Sequence, residues 1–122
     1  MPQTVMVVDD DADILDVTRL ALEGGGYSVL PTRSGPEALR TLEQSRPDLI
    51  LLDINMPVMN GLEFLQRVQK EPAYQSIPII IISTEGKEED TIRGLKMGAK
   101  GYVKKPFQAS ELHGLIEKIT TP

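Results

Sequence analysis

The sequence predicts a single α/β domain in which a parallel β-sheet is covered by helices on both faces. Three observations carry this expectation. The runs Val5–Val8, Leu49–Leu52 and Ile79–Ile82 are continuously apolar, which suits strands buried on both faces and not strands with one wet side. Between the runs lie segments with the i, i+3, i+4 apolar spacing of amphipathic helices. Finally, helix-length stretches separate every pair of runs, and crossovers of that length are what parallel neighbours require.

In chain order, Val5-Met6-Val7-Val8 is the first strand, and Gly24-Gly25-Gly26 closes the helix that follows it, because glycine disfavours helix continuation. Tyr27-Ser28-Val29-Leu30 is a more mixed run and suits an edge strand. Ala38, Leu39 and Leu42 give the second helix its stripe, and Pro47 ends it. Leu49–Leu52 is the middle strand, followed by Met56, Pro57, Met59 and Gly61 in a tight turn before the third helix. Ile79–Ile82 is the fourth strand, and Ile92, Leu95 and Ala99 form the buried stripe expected of the fourth helix. Gly101-Tyr102-Val103 is short and runs into lysines, as a second edge strand would. Leu112, Leu115, Ile116 and Ile119 mark the last helix at i, i+3, i+4, i+7.

Composition bounds the function. The 122 residues, 40% of them hydrophobic, supply one core without staples, so residues 1–122 are read as one domain. Cysteine is absent, which excludes disulfides, thiolate catalysis and Cys-ligated metals. No secretory signal and no run of ~20 apolar residues is present, so a cytoplasmic protein without membrane insertion is expected. Thirteen basic against eighteen acidic residues give a net charge of −5, which argues against direct nucleic-acid binding. The charge is uneven, however. No acid falls between Asp90 and Glu111, whereas Arg93, Lys96, Lys100, Lys104 and Lys105 do.

In parallel sheets the working residues gather beyond the carboxyl ends of the strands. Asp9, Asp10 and Asp11 follow the first strand, Asp53 the third, Ser83 and Thr84 the fourth, and Lys104, Lys105 and Pro106 the fifth. Two unit charges ~4 Å apart repel by ~4 kcal/mol at an effective dielectric of ~20, so Asp9, Asp10 and Asp53 together either bind protons or need cations. An oxygen-only donor set suits Mg²⁺ and not zinc, and Lys105 adds a fixed positive charge. Such a site fits phosphoryl transfer, which is catalysed mainly by positioning and electrostatics. A carboxylate is a competent nucleophile for phosphorus, and Asp53, after the middle strand, is the best placed. Asp11 or Asp13 also suits a plain helix cap, and His113, among Leu112, Leu115 and Ile116, suits packing or the surface better than phosphorylation.

Val7-Val8-Asp9-Asp10, Leu51-Leu52-Asp53-Ile54-Asn55-Met56-Pro57, Ile82-Ser83 and Tyr102-Val103-Lys104-Lys105-Pro106-Phe107 together resemble the receiver domains of bacterial two-component response regulators. The resemblance implies a flavodoxin-like five-stranded sheet in the order 2-1-3-4-5 with five helices. It makes Asp53 the phosphoacceptor and places Mg²⁺ on Asp10 directly, on Asp9 through water, on Asp53 and on the backbone carbonyl of Asn55. Ser83 and Lys105 contact the phosphoryl group, Tyr102 is the aromatic that turns inward on activation, and Lys105–Pro106 carries a cis bond. The donor is a sensor histidine kinase or a phosphotransfer protein. The output is a changed face formed by helix 4, strand 5 and helix 5, and self-dephosphorylation ends the signal.

Asn55 and Glu85 stand at positions that tune the rate, and with Ser83-Thr84-Glu85-Gly86 they lean toward the chemotaxis group. Thr84 departs from the family's preference for Ala or Gly, and its larger side chain narrows access to the phosphoryl group. On the output face, Lys96, Lys100, Tyr102 and Lys104 are expected to meet a downstream protein with acidic character. The chain is thus read as a phosphoacceptor signalling domain and not a turnover enzyme. Competing readings are a receiver trimmed from a longer regulator, a receiver-fold interaction module that is not phosphorylated, and an Asp-nucleophile, Mg²⁺-dependent phosphatase of the haloacid-dehalogenase type. The last draws on the Asp9/Asp11 spacing but lacks the Gly-Thr expected soon after. A nucleotide or flavin binder needs a Gly-rich loop after the first strand, and Gly24-Gly25-Gly26 follows a helix instead.

Overall fold

Strands and helices alternate through the computed structural model, which describes residues 3–54, 61–84 and 86–120. The elements are β1 (Thr4–Val8), α1 (Ala12–Gly24), β2 (Ser28–Thr32), α2 (Gly35–Gln44), β3 (Leu49–Asp53), α3 (Gly61–Lys70), β4 (Ile79–Ser83), α4 (Glu88–Lys96), β5 (Gly101–Lys104) and α5 (Ala109–Thr120). Every pairing is parallel and the sheet order is β2-β1-β3-β4-β5, the flavodoxin-like topology.

The strand period of two explains the unbroken apolar runs. Val5, Val7, Leu49, Leu51, Ile80 and Ile82 pack to one side with Leu15 and Leu22 of α1 and Leu112 and Ile116 of α5. Met6, Val8, Ile50, Leu52, Ile79 and Ile81 pack to the other with Ala38 and Leu42 of α2 and Phe64, Leu65 and Val68 of α3. Each fully buried Leu or Ile contributes roughly 1.5–3 kcal/mol, so both faces of the three central strands anchor the sheet whose ends carry the polar rim.

Caps place the helices on that rim. Asp11 caps α1, its carboxylate accepting from the backbone N–H of Asp13 and Ile14 at 2.9 and 3.2 Å. Ser34 caps α2 through the N–H of Glu37, with Pro36 in the first turn. At Gly61 a Cβ would fall against the Ile54 Cα and 2.8 Å from the Asp53 carbonyl; glycine is what lets α3 start flush against the end of β3. His113 is a packing residue: its Nε2 lies 2.7 Å from the carbonyl of Ala21 at the end of α1, and its ring centroid is 5.9 Å from that of Tyr27.

Two expectations are corrected. The second strand runs Ser28–Thr32, one residue later at its start and two at its end than the apolar run suggests. Pro31 is tolerated there because β2 is an edge strand with a single neighbour, so a missing N–H breaks no ladder. The stripe of α4 also differs. Thr91 and Gly94 are its buried residues, the helix ends at Lys96 before Ala99, and Ile92 is 53% exposed. Gly94 is the cause: a side chain there would collide with Ile81 Cδ1, so its bare backbone, and not Ile92, faces the sheet.

Candidate functional site

Four strand ends build the site. Asp9 follows β1 and is fully buried; its backbone N–H donates to the Thr32 carbonyl at 3.1 Å, and its carboxylate accepts from the Asp11 N–H at 3.0 Å. Asp53 ends β3, buried, in register with Ile82 of β4. Ser83 is the next residue of β4, and its carbonyl accepts from the backbone N–H of Lys105 at 2.8 Å, which fixes the start of the segment after β5. The Lys105–Pro106 peptide bond is cis.

The side chains converge accordingly. Carboxylate oxygens of Asp9, Asp10 and Asp53 all lie within 4.8 Å of one another. Lys105 Nζ donates to Asp9 Oδ2 at 3.0 Å and lies 3.5 Å from Asp53 Oδ2. Burial alone would lower the Lys105 pKa, but the hydrogen bond to Asp9 and the charges of Asp53 and Asp9 outweigh it. The ammonium is held above its ordinary value and stays charged. Ser83 Oγ is buried and, among the described residues, has no hydrogen-bond partner. Three carboxylates at such spacing against one lysine leave uncompensated negative charge, and their all-oxygen chemistry fits a hard divalent cation.

The sequence profile of the response regulator receiver domain matches residues 5–117. This chain belongs to that family. The receiver is 37% identical to the phosphate regulon transcriptional regulatory protein PhoB of Pseudomonas aeruginosa over 117 residues, covering 96% of this chain and 51% of PhoB. It therefore spans about half the length of the curated relatives it matches. Among solved structures, the Vibrio cholerae chemotaxis protein CheY4 superposes with a TM-score of 0.91 at 34% identity, covering 98% of this chain and 99% of that one. The receiver domain of the sensor histidine kinase PA1611 from P. aeruginosa, solved with a magnesium ion coordinated in its active-site cleft, gives a TM-score of 0.90 at 26% identity, with both chains fully covered. Family membership identifies a two-component signalling domain and gives the phosphatase reading no support.

The structure thus gathers Asp9, Asp10, Asp53, Ser83 and Lys105 at one rim. Thr84 follows, half-buried. Asn55 and Glu85 lie outside the described residues. Tyr102 is 48% exposed on β5, and Lys96, Lys100 and Lys104 are exposed beyond it. Sequence reasoning missed the groove of about 180 Å³ between α4 and β5, lined by Glu88, Thr91, Ile92, Leu95, Tyr102 and Lys104, because it assigned Ile92 to the core. It also missed Arg33, whose Nη2 lies 3.4 Å from the Asp10 carbonyl. A single arginine in a turn gives no sequence signal. Among the described residues, no helix is long and apolar enough to cross a membrane.

Proposed function

We propose that the receiver accepts a phosphoryl group on Asp53, with Mg²⁺ held by Asp9, Asp10 and Asp53. The observation that carries this reading is the convergence of three carboxylates with Lys105 beside the buried Ser83 hydroxyl, which has no partner among the described residues. An Asp53 carboxylate oxygen forms the new bond to phosphorus while the bond from phosphorus to a histidine nitrogen of the donor breaks, and the imidazole leaves with that electron pair. Bound Mg²⁺ supplies charge neutralisation for the phosphoryl oxygens, and its presence in the PA1611 receiver supports the assignment. Lys105 pairs with one phosphoryl oxygen, and Ser83 Oγ donates to another, satisfying a hydroxyl that has no partner among the described residues. By the family resemblance, the backbone carbonyl of Asn55 would be a further metal ligand, and Asn55, Thr84 and Glu85 would tune how long the phosphoryl group stays.

As Ser83 moves toward the phosphoryl group, Tyr102 turns from its exposed position toward β4. This remodels the face of α4, β5 and α5, where Ile92, Leu95, Tyr102, Lys104 and Glu88 line a groove and where Lys96 and Lys100 are exposed. That face docks an acidic segment of a downstream protein. Residues 1–122 act as one receiver unit, phosphorylated by a sensor histidine kinase or a phosphotransfer protein. The likeness to CheY4 supports a chemotaxis-type output, and the 37% identity to PhoB supports a receiver from a transcriptional regulator as the second reading.

The deciding experiment offers a small acyl phosphate donor and scores transfer of labelled phosphate. Wild-type labelling should require Mg²⁺ and vanish in Asp53→Asn; labelling that survives this substitution places the acceptor elsewhere. Reversing charge at Lys96 and Lys100 should weaken capture of the downstream partner and flatten its salt dependence. Unchanged binding would remove the acidic-segment reading.

A further inference from the structure

Arg33 stands in the turn between β2 and α2, which the proposed chemistry does not use. Its guanidinium Nη2 donates to the backbone carbonyl of Asp10 at 3.4 Å. The contact is long, and its weight comes from its surroundings. Among the described residues it is the one hydrogen bond that Asp10 makes. Asp9, in contrast, accepts from the Asp11 N–H and from Lys105. Of the three clustered carboxylate residues, Asp10 is also the most exposed.

The turn that carries Arg33 is itself pinned at three points. Thr32 Oγ1 donates to the Val7 carbonyl at 2.9 Å, the Asp9 N–H donates to the Thr32 carbonyl at 3.1 Å, and the Arg33 N–H donates to Glu37 Oε2 at 3.2 Å. The helix capped by Ser34 follows at once. The exposed Arg33 side chain therefore reaches the Asp10 carbonyl from a fixed backbone.

Building on the metal reading above, we infer that Arg33 is a positioning residue for Asp10: by holding that peptide it keeps the Asp10 carboxylate turned toward Asp9 and Asp53 for Mg²⁺. The role is opposed by the charge of Arg33, because a guanidinium near the site also repels a divalent cation. The two effects separate in salt. At ~1 M ionic strength the screening length falls to ~3 Å, which suppresses the repulsion between solvent-exposed charges and leaves the geometric contribution.

The test is a Mg²⁺ titration followed by amide chemical shifts in ~1 M KCl. Arg33→Ala should bind Mg²⁺ about three- to tenfold more weakly than wild type, with an unchanged metal-free melting temperature. Binding as tight as wild type or tighter would overturn the inference. So would a parallel loss of metal-free stability, which would make Arg33 a structural residue only. Asp10→Asn distinguishes loss of the metal site from loss of the Arg33 contribution. If it too binds Mg²⁺ like wild type, the metal reading fails; if it weakens binding and Arg33→Ala does not, the role of Arg33 alone is lost.

Discussion

Thr18 and Ser83 are the two residues whose buried hydroxyls lack a hydrogen-bond partner among the described residues, and their settings give them opposite meanings. Thr18 lies in the middle of α1, fully buried against the sheet. Ser83 ends β4 beside the carboxylate cluster. An unpaired buried hydroxyl costs about 1–3 kcal/mol, a cost that is tolerated where a ligand later meets it. Thr18→Val should therefore leave stability unchanged or raise it by about 1 kcal/mol in urea unfolding, without altering phosphorylation. Ser83→Ala should also fold normally but slow phosphoryl transfer about tenfold, the loss expected for ~1.4 kcal/mol at the transition state. A clear loss of stability in Thr18→Val, or full activity in Ser83→Ala, would contradict this division.

At the scale of elements, α4 starts differently from α1 and α2, whose N-caps are side chains. Lys87 at its N-cap makes no side-chain cap hydrogen bond, and at Gly94, mid-helix, the helix approaches the sheet by backbone, with Ile81 Cδ1 where a Cβ would stand. Its start is tied instead to β5, through Glu88 Oε1 accepting from Lys104 Nζ at 3.2 Å. The Glu88 carboxyl is held below its ordinary value by its own backbone N–H first, then by Lys104 and the Gly86 N–H. A carboxyl with a lowered folded-state pKa supports the folded form above its ordinary value of 4.5 and loses that support as pH falls through the lowered value. In an NMR titration, Lys104→Ala should move the Glu88 midpoint upward; an unmoved midpoint would mean that the tie is not formed in solution.

This helix also marks the limit of what the sequence made legible. Periodicity found the five strands, because runs such as Ile79–Ile82 are apolar on both faces, and strand order brought Asp9, Asp53, Ser83 and Lys105 to one rim. It failed at Ile92, since a hydropathy stripe takes no account of how closely a glycine lets a helix approach the sheet. Arg33 stayed hidden for a different reason. Its contact with Asp10 spans 23 positions of sequence and joins two loops, and no local pattern encodes that.

For the whole molecule, the rim trades stability for chemistry. Asp9, Asp10 and Asp53 repel one another, and Lys105 meets two of them directly. Neutralising the most exposed one, in Asp10→Asn, should stabilise the metal-free protein by about 1 kcal/mol, a solvent-screened share of the repulsion. The same change should abolish the rise in melting temperature that Mg²⁺ gives wild type. A destabilised metal-free variant would show that the cluster is not under electrostatic strain.

Pro31 has a consequence at this scale too. The interior strands carry runs such as Ile79-Ile80-Ile81-Ile82, which in a partly unfolded chain are ready templates for cross-β stacking. Among the described strands, the outer sides of β2 and β5 are the ones open to an incoming strand. On β2 that side includes a proline, which can offer no N–H, and β5 is four residues long and ends in exposed Lys104. Both edges therefore discourage edge-to-edge pairing between copies. Pro31→Val should leave the thermal midpoint close to wild type yet raise light scattering and amyloid-dye binding during concentrated refolding. Equal scattering would locate the protection on β5 alone.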